Sequence, residues 1–201
     1  MDYEKLKSTL EKKGYKVSIF DNKTDAVNYL DNEINDTSVG FGGSMTLEEL
    51  GIYEKLETHN QTVWHQRIPE GKTSLEIRNQ AIATKVYLSS VNGLAETGEI
   101  INIDGACNRV SAIFYGHEKV YLILGENKIA PTYDEALWRA RNIAAPLNAR
   151  RLKKKTPCAI KADKCYNCSS PDRICCGLSV HYKAPMIGQT EIVIIKEKLG
   201  Y

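Results

Sequence analysis

The chain has 201 residues, of which 42% are hydrophobic and 26% are charged, a composition that excludes disorder over the whole chain. Its length suits one domain, because compact domains cluster around roughly 100–200 residues. The 27 Lys and Arg residues are almost balanced by 25 Asp and Glu residues, which leaves a net charge of +2. A charge so close to neutral gives no overall attraction to nucleic acid or to an anionic membrane.

The apolar runs are too short to cross a membrane. Val120–Leu124, one of the longest, has the length of a buried strand, whereas a spanning helix needs about 20 apolar residues. The N-terminal residues Met1–Lys5 contain no apolar segment of the kind found in signal peptides. We therefore expect a cytoplasmic protein, in which cysteines stay reduced.

The first 100 residues alternate between helical and strand patterns. Helical spacing of apolar residues occurs in Tyr3–Leu10 and Val27–Ile34, and strand patterns occur in Val17–Ile19, Ser38–Phe41 and Val86–Leu88. Capping-box sequences, in which Thr is followed three residues later by Glu, predict that two further helices begin at Thr46 and Thr73.

The second half continues this alternation. Strands are predicted over Ile100–Ile103, Val110–Tyr115, Val120–Leu124 and Ile192–Ile195. A third capping box begins a helix at Thr132, which Pro146 is expected to kink or end. Alternating strands and helices predict an α/β fold with a mostly parallel sheet flanked by helices. We assign residues 1–155 to the α/β domain, and 156–201 to a Cys-rich segment and closing strand of the same domain.

A glycine-rich loop, Gly40–Thr46, connects a predicted strand to a predicted helix, where α/β sheets bind ligands. Gly42 and Gly43 would allow the backbone to approach an anion, which Ser44 and Thr46 would help to bind. The loop matches neither a phosphate-binding Walker sequence nor the complete dinucleotide fingerprint, so no NAD site is recognisable. The alternative is a tight turn in which Thr46 only caps the helix.

Two other polar loops contain candidate binding residues. They contribute Asn92, Asp104, Gly105, Asn108 and Arg109. The Arg109 guanidinium suits a carboxylate or phosphate, although a hairpin turn with a surface arginine would give the same pattern. Glu96 is a candidate general base or nucleophile, but an isolated glutamate is more often a solvated surface residue.

The run Arg150–Lys155 is strongly basic. It has no interleaved aromatic residues, and its position after a predicted helix suits the negative end of the helix dipole. Nucleic acid is therefore not an expected partner.

Five of the six cysteines lie within residues 158–176, and such clusters in cytoplasmic proteins indicate metal binding before disulfides. In the pattern Cys158-x6-Cys165-x2-Cys168-x6-Cys175, the central pair can place two thiolates on one ion. The pattern predicts that these four residues hold zinc or an iron–sulfur cluster. The alternative is a set of reduced, partly buried thiols.

Five segments together resemble one known family. They are Gly42–Leu47, Asn102–Gly105 with Asn108-Arg109, Asn127–Ile129, Arg141–Ala149, and Cys165–Cys175. Similar segments occur in this order in the LUD (lactate utilisation) domain family, and the match is to its short, single-domain form with a C-terminal cysteine cluster. It covers roughly residues 1–201 and adds Asn127 and Lys128 to the expected anion-binding residues.

The resemblance implies a fold like that of NagB, RpiA and the CoA transferases. Members of the wider family act in bacterial oxidation of L-lactate to pyruvate, within a multi-protein system that contains iron–sulfur clusters. The resemblance therefore implies an accessory or redox component that binds a small lactate-like or pyruvate-like anion, with other lactate-utilisation proteins as partners.

Two other functions remain open, as does the question whether the protein is an enzyme. One is an enzyme of the sugar-phosphate isomerase or CoA-transferase kind, since the same fold supports different chemistries. The other is a module that carries zinc or an iron–sulfur cluster and acts through a partner protein.

Overall fold

The computed structural model describes residues 1–201. The α-helices are α1 (Tyr3–Lys12), α2 (Lys23–Glu33), α3 (Met45–Leu50), α4 (Ile52–Leu56), α5 (Ser74–Ile82), α6 (Asn108–Phe114), α7 (Tyr133–Arg139), α8 (Ala145–Arg151) and α9 (Pro157–Lys161). The strands are β1 (Lys16–Phe20), β2 (Ser38–Phe41), β3 (Gln61–Trp64), β4 (Val86–Ser89), β5 (Gly93–Ala95), β6 (Ile100–Asp104), β7 (Lys119–Gly125), β8 (Ile129–Ala130), β9 (Gly177–His181) and β10 (Gln189–Ile195).

The central sheet has six strands in the order β1-β10-β7-β4-β2-β3, and every neighbouring pair is parallel. This confirms the predicted α/β fold with a mostly parallel sheet. The segments Val120–Leu124 of β7 and Ile192–Ile195 of β10 are apolar because helices cover both faces of the sheet. Along β7, Leu122 and Leu124 point to one core while Tyr121 and Ile123 point to the other.

The helices divide between the two faces of this sheet. On one face, α2, α3 and α4 contribute fully buried leucines such as Leu30 and Leu47. On the other, α1 and α6 contribute Leu10 and Ala112. Both layers exclude water from the sheet, which is the main driving force for this arrangement. None of these or the remaining helices has the length and apolar character needed to span a membrane.

A second sheet, in the order β8-β5-β6-β9, was not predicted as a separate layer. Its strands β6 and β9 pair antiparallel, and α7 covers it by packing Ala136 against Ala95 and Ile101. Two of its strands have only two or three residues, too few for an alternating pattern to be visible in the sequence.

The prediction of a strand over Val110–Tyr115 is wrong, because residues 110–114 belong to α6 and Tyr115 is its C-cap. The Asp104 carboxylate accepts hydrogen bonds from the backbone N–H groups of Cys107 (3.2 Å) and Val110 (3.1 Å), and so supports the first turn of the helix. A short apolar run such as this one, interrupted only by Ser111, is compatible with either a strand or a buried helix.

Helix α3 begins two residues earlier than predicted. Its cap is Ser44, whose hydroxyl accepts from the N–H of Leu47 at 3.3 Å, and not Thr46. The capping boxes at Thr73 and Thr132 are confirmed. Pro146 does not end its helix, because a π-helical segment, Ala140–Ala144, precedes it and α8 continues to Arg151.

One carboxylate, that of Glu191 on β10, is fully buried where β1, β7 and β10 begin. It accepts hydrogen bonds of 2.7 Å from Ser18 and Tyr29, and lies 3.2 Å from Lys16 and 3.1 Å from Lys119. Burial raises its pKa, but the hydrogen bonds and the Lys119 charge outweigh burial, so the pKa of Glu191 lies below its ordinary value.

We expect Glu191→Gln to lower the free energy of unfolding by about 1–3 kcal/mol at pH 7, because the two lysines lose their buried counter-charge. Urea unfolding measures the loss. In Glu118→Gln, the matched control, the carboxylate is exposed and 3.9 Å from Lys85, so a change of about 0.5 kcal/mol or less is expected. Equal destabilisation by the two variants would contradict this assignment.

The difference in the free energy of unfolding between the wild type and Glu191→Gln should depend on pH, because the Glu191 carboxylate titrates. Because the folded pKa is lowered, the stabilisation is present above the unfolded pKa of about 4.3 and is lost as pH falls through the folded pKa. The two unfolding curves should therefore converge in acid.

Candidate functional site

A cavity of about 460 Å³ lies at the carboxyl ends of the parallel strands. Gly43, His65, Ser90, Lys128 and Tyr201, which follow β2, β3, β4, β7 and β10, line it. Parallel strands that end at one edge bring the loops of distant sequence segments together there. The volume is that of an ordinary metabolite site.

The rest of the wall comes from outside the central sheet. Asp104 and Asn108 follow β6, Arg151 ends α8, Lys154 comes three residues later, and Arg173 belongs to the Cys-rich segment. The cavity therefore lies between the two sheets and under the C-terminal third of the chain.

The charge of the cavity wall is strongly positive. Its basic residues are Arg78, Arg109, Lys128, Arg151, Lys154 and Arg173, and its one acidic residue is Asp104. The Asp104 carboxylate is already engaged with the backbone at the start of α6. Cations that converge without matching carboxylates are the pattern of an anion-binding site.

Arg109 is buried, and its guanidinium donates hydrogen bonds to oxygens of the protein itself. Its Nη1 donates to the carbonyl of Ser90 at 3.0 Å and to Asn102 Oδ1, and its Nη2 donates to Asn92 Oδ1 at 3.2 Å and to the carbonyl of Ile103 at 2.9 Å. Burial lowers the pKa of Arg109, although an arginine stays charged at neutral pH. Its main structural role is to hold the end of β4 against β6.

A second buried arginine, Arg139 on α7, was not identified from the sequence. Its Nε donates to the carbonyl of Asn127 at 2.8 Å and its Nη1 to the carbonyl of Asn92 at 2.6 Å. Asn127 in turn accepts from the N–H of Leu199 at 3.0 Å and donates to the carbonyl of Gly200 at 3.2 Å. This chain of hydrogen bonds positions the loops and the C-terminal residues around the cavity.

Lys128 lies in the short turn Glu126–Lys128 after β7 and is almost wholly buried. Its Nζ donates to the hydroxyl oxygens of Thr46 at 2.8 Å and Ser90 at 3.0 Å. Burial, followed by the charges of Arg139 and Arg109, lowers the pKa of Lys128 to about 7.

His65 follows β3 and packs beside the glycine loop. Burial, and then the charge of Arg78, lowers the pKa of His65 to about 4, so its ring is neutral at neutral pH. A Cβ added at Gly43 would lie 3.1 Å from His65 Nε2, which explains why this loop position has no side chain.

The structure brings most of the predicted binding residues together. Those that line the cavity are Gly43, Ser44, Asn92, Asp104, Gly105, Asn108, Arg109 and Lys128. Gly42, Thr46 and Asn127 lie just behind the wall: a Cβ at Gly42 would meet Arg109 Cγ at 3.0 Å, and the other two orient neighbouring groups. Glu96 does not line the cavity; its N–H pairs with Ala130 beside β8.

Several cavity residues were missed by sequence reasoning. They include His65, Arg78, Ser90, Asn148, Arg151 and Tyr201. The strand-end rule that identified Gly43 applies equally to Ser90 after β4, and to His65 once β3 is recognised. Arg151 was noticed only as part of a basic run, because the sequence does not show which side of α8 meets the sheet.

The cysteine segment does not form a metal centre in this arrangement: no group of three or more His, Cys, Asp or Glu side chains is placed to hold an ion. All six cysteines are free thiols. Burial raises the pKa of the Cys175 thiol, and the nearby thiols of Cys165, Cys158 and Cys168 raise it further, against the charge of Arg173, which lowers it. Cys176 lines the cavity.

The family follows from comparison with known proteins. The model of the LUD domain matches residues 3–195. The chain belongs to the LUD domain family. No curated protein matches it. Membership agrees with the resemblance carried by the glycine loop, the Asp104 loop and the cysteine segment.

One solved structure supports the same fold. A DUF162 family protein from Deinococcus radiodurans is 10% identical, with a TM-score of 0.50, and the match covers 96% of this chain and 95% of that one. At this identity the likeness shows the fold alone. eIF2B beta from Chaetomium thermophilum matches with a TM-score of 0.38 and 12% identity, over 55% of this chain and 39% of that one. We infer neither fold nor function from this weaker similarity.

Gly43→Val should weaken ligand binding in the cavity, because its side chain would press against His65 and occupy space at the wall. Thermal shift with each candidate anion measures the loss. Ser8→Val, which adds the same side chain on the exposed part of α1, is the control and should leave binding unchanged. If Gly43→Val bound the anion with wild-type affinity, the glycine loop would not be part of the binding site.

Proposed function

We propose that this LUD-domain protein binds a small anionic metabolite, lactate-like or pyruvate-like, in the cavity at the carboxyl edge of the central sheet. It would act as an accessory or redox component of lactate utilisation in the cytoplasm, together with other proteins of that process. The proposal rests on family membership for the process and on the cavity wall for the ligand.

The observation that carries the ligand class is the imbalance of charge: six basic side chains and one acidic side chain line the cavity. Arg109 is occupied with the protein's own carbonyl and amide oxygens, so other cations must meet the ligand. Arg151 is the best placed, since its Nε and Nη2 bind Asn148 and Tyr201 while Nη1 makes no hydrogen bond. A guanidinium group held in one orientation by such bonds suits a carboxylate or a phosphate.

The volume of about 460 Å³ leaves a second candidate function open. It exceeds what a three-carbon acid fills, so a sugar phosphate or part of an acyl-CoA would also fit. Such a ligand would favour an enzyme of the sugar-phosphate isomerase or CoA-transferase kind. Ligand preference therefore separates an accessory role from this alternative.

A thermal-shift and calorimetric screen with lactate, pyruvate, a sugar phosphate and an acyl-CoA tests the proposal. Arg151→Met should weaken binding of the preferred anion at least about tenfold, because it removes a charged hydrogen-bond donor. Arg150→Met is the matched control: the same charge is lost from the same helix, but Arg150 is exposed and does not line the cavity. If the two variants weakened binding equally, only the net charge of the protein would matter. That result would contradict a binding site at Arg151.

A metal or iron–sulfur cluster at Cys158, Cys165, Cys168 and Cys175 is a separate proposal. Its support is the sequence spacing and the closeness of these thiols to Cys175. The arrangement described above does not fit an ion without movement of the loop, so metal binding would have to draw the four sulfur atoms together.

Elemental analysis of anaerobically purified protein tests this second proposal. Stoichiometric zinc or iron is expected in the wild type and a loss of metal in the Cys165→Ser, Cys168→Ser double variant, since thiolates are the ligands. Cys107→Ser, which changes a cysteine outside the cluster, should retain the metal. Equal metal in all three proteins, or none in the wild type, would reduce the cluster to partly buried thiols.

A further inference from the structure

Lys128 differs from the other cations of the cavity. Its side chain is 3% exposed, and it takes part in none of the ion pairs of the structure, although it lines the cavity. Its nitrogen contacts two neutral hydroxyl groups, those of Thr46 and Ser90. A lysine buried without a carboxylate is costly to keep charged.

The hydrogen bonds around Lys128 suit an uncharged amine. The Ser90 hydroxyl donates to Thr46 Oγ1 at 3.3 Å, and the Thr46 hydroxyl donates to the carbonyl of Leu199 at 3.3 Å. Both oxygens are therefore available to accept from Lys128 Nζ. A neutral amine has two N–H donors, which these oxygens satisfy, and one lone pair; an ammonium has a third donor that meets no acceptor of the protein.

The surrounding charges act in the same direction as burial. Arg139 and Arg109 lower the pKa of Lys128, Glu49 opposes them, and the result is a value of about 7. A substantial share of Lys128 is therefore unprotonated at neutral pH, and an unprotonated lysine is a nucleophile towards carbonyl carbon.

We propose that Lys128 forms an imine with the keto carbon of a 2-oxo acid bound in the cavity. The inference rests on the proposed function and narrows its ligand to an anion that carries a carbonyl group. Lys128 Nζ attacks the keto carbon, the C–N bond forms, and the carbonyl π electrons move to oxygen. Proton transfer and loss of one water then give the imine, with no net oxidation or reduction.

Two features of the cavity wall support this chemistry. Ser90 lines the cavity and lies 3.0 Å from the amine, so its hydroxyl can pass a proton between nitrogen and the departing oxygen. The carboxylate of the acid would bind to cations of the same wall, Arg151 among them. Lactate has the same carboxylate but a hydroxyl in place of the keto group, so it would bind without reacting.

Reductive trapping tests the inference. Wild-type protein is incubated with pyruvate and cyanoborohydride, which reduces an imine to a stable amine, and peptide mass spectrometry locates the adduct. We expect a pyruvate adduct on Lys128, none with lactate, and loss of that adduct in Lys128→Arg. Lys155→Arg, which changes an exposed lysine outside the cavity, is the control and should retain it.

Thermal shift with pyruvate, measured in parallel on the wild type, separates the two proposals. Stabilisation by pyruvate with no adduct on Lys128, or with adducts spread evenly over surface lysines, would overturn the imine and leave the anion site standing. Neither stabilisation nor adduct would overturn both for this ligand class. The adduct is mapped on the wild type, so the result does not depend on the folding of any variant.

Discussion

The buried guanidinium of Arg109 is the interaction on which the arrangement of the cavity depends. The end of β4 belongs to the parallel sheet, and β6 belongs to the second sheet. Arg109 donates to the carbonyls of Ser90 and Ile103 and to the amide oxygen of Asn92, so one rigid planar group joins both sheets. A lysine could not reproduce these simultaneous bonds, because its donors radiate from a single atom.

The buried charge of Arg109 also influences the protonation of its neighbours in the cavity. The Arg109 guanidinium is held by neutral oxygens and by the Asp104 carboxylate, 3.8 Å from its Nε, and its charge lowers the pKa of Lys128, as does the charge of Arg139. Arg109, which lines the wall, and Arg139, which holds the loops behind it, therefore both lower the pKa of Lys128. Cations that shape a site can in this way shift the pKa of a neighbouring lysine as well as attract an anion.

The sequence was sufficient to predict the parallel sheet and the glycine loop, because long apolar strands and a strand–glycine–helix sequence leave few alternatives. It failed at Val110–Tyr115, where apolar residues two positions apart imitate a strand and only the bond from Val110 to Asp104 shows that a helix begins. It also did not show that Arg109 is buried, since its burial depends on Asn92 and Asn102, which only the tertiary fold brings to it.

The Cys-rich segment is joined to the cavity by Arg173. Its guanidinium donates to the carbonyls of Cys168 at 2.7 Å and Cys175 at 3.1 Å, while the same residue lines the cavity beside Cys176. A rearrangement of the cysteine loop that displaces these carbonyls would therefore also displace a cation of the wall. Binding of an anion and the state of the cysteines would then affect each other equally, because coupling between two sites is reciprocal.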